Sequence, residues 1–158
     1  MKSYLQRFVL DSYLNKTLSD VIGRIDTLTS ESTTVAHKVS LAQAPLALPD
    51  LISLLEGAIV QAEDYPKIRA YAGGLLTFVY NPLDFIGDEP PAGLVDDVIV
   101  CALGLRKLAE EGTVQLDPIA DGLVRSIAEL AGYLRQDLLS AITEFVEELE
   151  TKVVPGMT

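Results

Sequence analysis

Four aspartates, Asp84, Asp88, Asp96 and Asp97, crowd around a turn that runs from Pro82 to Gly93 and carries three prolines and two glycines. Asp84 and Asp88 are four residues apart, so one helical turn would set both carboxylates on the same side. Asp96 and Asp97 follow Gly93 and open the next apolar segment. Carboxylates this close repel each other unless separation, protonation, backbone N–H groups, a basic side chain or a cation offsets the repulsion. Hard oxygen ligands favour Mg²⁺, Ca²⁺ or Mn²⁺ over zinc, so Asp84, Asp88, Asp96 and Asp97 are the candidate metal ligands. The competing expectation is structural. A negative charge in a first helical turn meets the helix dipole favourably, and Asp84 could cap its own backbone. Arg69, Arg106 and Lys107 are the candidate ion-pair partners. Acid–base chemistry is a third reading of the same residues.

Two apolar arms position this turn. Pro66 opens PKIRAYAGGLLTFVY, apolar on every side beyond Arg69 and ended by Asn81–Pro82, since the residue before a proline disfavours the helical region. Gly73 and Gly74 within it predict the close approach of another backbone. After Gly93, the expected cap, Leu94, Val98, Cys101, Leu105 and Leu108 form a helical stripe that ends at Glu110–Gly112. Upstream, the periodicity predicts one helix to about Asp26, a Ser/Thr-rich linker with a short helical piece near Thr34–Val39, and a helix opened by Pro49. Downstream, Asp117–Pro118 reads as cap and first residue of a stripe reaching about Glu150. That run, 117–150, is one long helix or a pair, with Gly132 as the candidate break. The expected fold is all-α: a single helical domain of five or six helices around the central apolar hairpin.

Tyr80, Pro82, Leu83, Asp84, Asp88, Gly93 and the Asp96–Asp97 pair resemble the signature of the YkvA-like family of helical domains. Its pattern is an apolar helix, a P-x-D-x-x-P-D turn, and G-x-x-D-D opening a second apolar helix. The resemblance covers about residues 66–108, and the chain differs at Gly87, where the family has proline, and at Glu89, where it has an apolar residue. It implies a small helical domain, often membrane-associated, with importance for the aspartates and no agreed activity.

Composition narrows the partners. The chain has 158 residues and a net charge of −11, a field that repels phosphate backbones and anionic headgroups. Nucleic acid is excluded on that ground, and a membrane surface is allowed without being favoured. Protein partners, a second copy of the chain and divalent cations remain. The lone Cys101 rules out an intrachain disulfide and suits a reducing, cytoplasmic setting, with peripheral membrane contact left open. The longest charge-free apolar run, Ala70 to Leu83, is short of the roughly 20 residues a spanning helix needs.

Other chemistry-bearing residues read as structural. His37 falls in the polar linker and is expected as a solvated loop histidine. Cys101, on the apolar stripe, reads as an inert core residue. Tyr71 and Tyr80 read as packing residues beside the turn, and Glu144–Glu150 as a solvated helix face. The expected function is a non-enzymatic helical domain for protein interaction or structure. A regulatory or hydrolytic divalent-cation site and peripheral membrane association are the alternatives.

Overall fold

Capping residues and prolines set most of the helix starts. The computed structural model describes residues 2–14, 16–62, 64–80, 90–112 and 114–153. Among them stand eight α-helices: α1 Lys2–Leu14, α2 Leu18–Asp26, α3 Val35–Gln43, α4 Leu48–Gln61, α5 Pro66–Tyr80, α6 Val95–Glu110, α7 Pro118–Leu130 and α8 Gln136–Val153. The fold is all-α, with one isolated antiparallel bridge, Thr29 to Leu134, among the described residues. Pro66 opens α5 and Pro118 opens α7, where Asp117 accepts the Ala120 amide at 2.8 Å.

The helix count exceeds the expected five or six for two physical reasons. First, the N-terminal stripe is two helices. Thr17 starts α2 with a capping box: its hydroxyl accepts the Asp20 amide at 3.1 Å, and the Asp20 carboxylate accepts the Thr17 amide at 3.2 Å. Second, the Ser/Thr-rich stretch is not a free linker. Ser30 donates its amide to the Tyr133 carbonyl at 3.0 Å, and Arg135 donates its amide to the Leu28 carbonyl at 2.9 Å. Thr34 then caps a full helix, α3.

The same pairing explains the downstream break. Residues 117–150 form two helices, α7 and α8, separated by a 3-10 turn at Ala131–Tyr133 and an extended Leu134 with ψ 152°. Leu134 is drawn out of the helix by its bridge to Thr29, whereas Gly132 adopts no left-handed conformation.

The core gathers on α6, where Val95, Val98, Ile99, Val100, Cys101, Ala102 and Leu105 are all inaccessible to solvent. Helices α4, α5, α7 and α8 pack around it. A second continuous helical stretch, Val35–Gln61, joins α3 and α4 through the 3-10 turn Ala44–Ala47. It is long and apolar enough to cross a bilayer by length and composition, which no charge-free run in the sequence signals. Of its most apolar window, 44% is buried, with Leu48, Leu51, Ile52 and Leu55 in the core.

The glycine pair in α5 does not admit another backbone. A Cβ at Gly73 would meet nothing within 4 Å, and one at Gly74 would meet the Leu149 side chain of α8 at 2.7 Å. Gly73→Ala should therefore stabilise the protein by about 1 kcal/mol, the helix-propensity difference alone. Urea unfolding checks this; a loss of stability would mean that the glycine is needed for its shape.

Helix α1 is tied to α3 through Tyr13, whose hydroxyl donates to the Ala42 carbonyl at 2.6 Å. Burial pushes the Tyr13 pKa up to about 12. The folded state thus favours the neutral phenol. Its contribution is full below the unfolded value of about 10 and is lost as pH rises to about 12. Tyr13→Phe should cost about 1 kcal/mol at neutral pH. The gap to wild type should close across that alkaline window; a gap that stays constant would contradict the assignment.

Candidate functional site

The N-terminal turn of α6 holds the two aspartates of the candidate site that can be placed. Asp96 and Asp97 are the second and third residues of α6, after the 3-10 turn Ala92–Leu94, so Gly93 lies inside that turn and Leu94 takes the cap position. Both are sealed from solvent, at 0% and 1% exposure. The Asp97 amide donates to Asp96 Oδ1 at 2.9 Å. The first amides of a helix lack intrahelical acceptors, and the positive end of its dipole lies there, so this is where a buried carboxylate is best tolerated. Asp84 and Asp88, with Asn81, Pro82, Gly87 and Glu89, lie outside the described residues. Among the described residues no group of three or more His, Cys, Asp or Glu side chains is placed to hold a metal ion.

Two of the candidate ion-pair partners, Arg69 and Arg106, lie away from the Asp96–Asp97 pair. Arg106 lies 3.9 Å from Glu110, one turn along its own helix. Arg69 is exposed in the first turn of α5. Helices α5 and α6 run antiparallel: Leu75 abuts Gly104, and Tyr80 lies within electrostatic reach of Cys101. That direction carries Arg69 away from the Asp pair, by roughly 15 Å of helix measured from Tyr80. Among the described residues, Lys16 from the α1–α2 junction reaches the segment before α6, where its ammonium donates to the Pro90 carbonyl. Nothing in the local sequence near the turn announces it, because the two residues are 74 positions apart.

Cys101 lies one turn beyond Asp97. Burial first, and the Asp97 charge second, push its thiol well above the usual range. It stays protonated, so the thiolate that nucleophilic chemistry requires is not formed. Tyr80 is raised by partial desolvation first and then by the charge of Glu56. Tyr71 is a core residue, while Tyr80 is half exposed.

His37 departs from the expected solvated loop. It sits in the first turn of α3, its ring stacks on Tyr133 with centroids 3.8 Å apart, and its Nδ1 bonds the Thr34 hydroxyl at 2.8 Å. The Thr34-to-His37 spacing signals the local contact; the long-range partner leaves no sequence signal. The Glu144, Glu147 and Glu148 side chains are exposed on α8, as expected.

A cleft of about 200 Å³ opens between α6 and α8, where Arg106 and Lys107 mix with Glu110 and Glu147 over Leu103 and Val146. Its two basic and two acidic side chains balance in number, so the lining favours neither sign of ligand. No protein-family model matches the chain, and no curated protein or solved structure matches it significantly.

Proposed function

We propose that this chain is a non-enzymatic helical domain whose aspartate-rich turn serves the fold and whose exposed surface takes a protein partner. The observation that carries the reading is the burial of Asp96 and Asp97 in the first turn of the most enclosed helix. The Asp96 carboxylate accepts a backbone amide and both charges complement the dipole; sealed from solvent, they present nothing to a substrate. On this reading α5 and α6 form the apolar hairpin of a YkvA-like domain, closed by the turn between them. The lone thiol suits a reducing cytoplasm.

The burial of two acids also favours a second reading, a divalent cation held by Asp84, Asp88, Asp96 and Asp97. Desolvated like charges are costly, and an ion would offset that cost. Thermal unfolding of chelator-treated protein against titrated Mg²⁺, Ca²⁺ and Mn²⁺ separates the two. Binding to the folded state raises stability by about RT ln(1 + [L]/Kd). The structural reading predicts no saturable rise in Tm. A saturable rise that disappears when Asp96→Asn and Asp97→Asn are combined would establish the cation site instead.

A further inference from the structure

Helix α1 buries Leu5 and Val9 against the core and leaves the opposite face apolar at both ends. Tyr4 is 71% exposed and Leu14 75%, with Phe8 and Leu10 exposed beside them. Between the ends stand Arg7 and Asp11, both exposed. At about 100° per residue, Tyr4, Arg7, Asp11 and Leu14 share one stripe opposite Leu5 and Val9. Their spacing of three, four and three is that of a coiled-coil seam.

We infer that this face of α1 binds the same face of a second copy of the chain, antiparallel, about a two-fold axis at the level of Val9. The inference rests on the partner-binding reading above and names the partner. The face is self-complementary in that register. Tyr4 meets the partner's Leu14 and Arg7 meets the partner's Asp11, each contact made twice as an isologous interface requires, while Phe8 and Leu10 lie on opposite flanks of the stripe, each facing its own counterpart. A parallel pairing would set Arg7 against the partner's Arg7 and Asp11 against the partner's Asp11, so the charges select the antiparallel orientation. The charge around α1 permits this approach. The chain carries −11, yet residues 1–18 hold three basic side chains, Lys2, Arg7 and Lys16, against one acidic, Asp11. Two copies therefore meet less repulsion there than over the chain as a whole.

The seam is short. Thirteen residues of helix span roughly 20 Å, which offers less than the roughly 800 Å² per partner of a standard interface. Leu18 and Leu46, both about half exposed, widen the apolar margin near α1. The expected product is a concentration-dependent dimer with a dissociation constant on the order of micromolar.

Sedimentation velocity on the full chain tests it, with wild type, Arg7→Asp, Asp11→Arg and the two combined. Wild type should shift from monomer to dimer with concentration. Each single change puts like charges opposite one another twice and should weaken the dimer at least about tenfold. The combined swap should restore it. Circular dichroism confirms that the exposed substitutions leave the fold intact. A wild type that stays monomeric overturns the proposal, including one that instead floats with anionic vesicles. A dimer indifferent to all three variants also overturns it, while leaving the partner-binding reading in place with a different surface. Failure of the reading itself shows separately, in the cation titration.

Discussion

Gly104→Val is expected to destabilise the protein by about 3 kcal/mol, the upper part of the usual cost of overpacking. A Cβ at Gly104 would lie 2.3 Å from Leu75 Cδ1, 2.9 Å from Cδ2 and 3.2 Å from Cγ. The whole head of Leu75 would have to move, and Leu75 is fully buried where α5 meets α6. The glycine is therefore the socket for the leucine. Leu75→Ala alone should cost about 2–5 kcal/mol through lost burial and the cavity left behind. Because the truncated side chain no longer occupies the socket, the two changes together should cost less than their sum, with a coupling of about 0.5–3 kcal/mol in urea unfolding. Additive costs would show that the two positions do not interlock.

Phe78→Ala should cost about 3–5 kcal/mol. Phe78 is buried in the last full turn of α5, and its ring lies 4.9 Å from that of Phe145 on α8 at 42°. This tilted pair adds roughly 0.5–1.5 kcal/mol to the area term. It joins the arm that leads into the acidic turn to the helix that covers it. Phe145 is only partly buried, so Phe145→Ala should cost clearly less than Phe78→Ala. Equal costs, or a loss below about 1 kcal/mol at Phe78, would contradict the packing described.

The parts of the fold that the sequence made legible are those encoded locally. Proline starts at Pro66 and Pro118, the Asp117 cap and the all-round apolar character of 94–108 each act within one or two turns. Thr17, three residues before Asp20, is a local start signal that the apolar periodicity overrides, and Thr34, three residues before His37, opens at the expected place a helix longer than the short piece over Thr34–Val39. Other features had no local encoding. The 28–30 segment bonds residues 133–135 across the chain, and that contact both orders the Ser/Thr stretch and divides α7 from α8. Helical wheels cannot show this. The candidate site was half legible. G-x-x-D-D places Asp96 and Asp97 in a first turn, but their complete burial depends on how α6 is enclosed, and Lys16 arrives from a distant junction. Gly73–Gly74 misled because glycine tolerance has several causes: Gly74 faces a side chain, and Gly73 faces open space.

The most direct test of the central claim, that Asp96 and Asp97 serve the fold, is urea unfolding in chelator of wild type against the combined Asp96→Asn, Asp97→Asn variant. If the carboxylates complete the first turn of α6, removing both charges weakens charge-assisted hydrogen bonds and the dipole interaction, and stability falls by about 2 kcal/mol or more. A variant as stable as wild type without metal, or more so, would contradict the account. It would mean that the two carboxylates repel each other in the fold and await a cation.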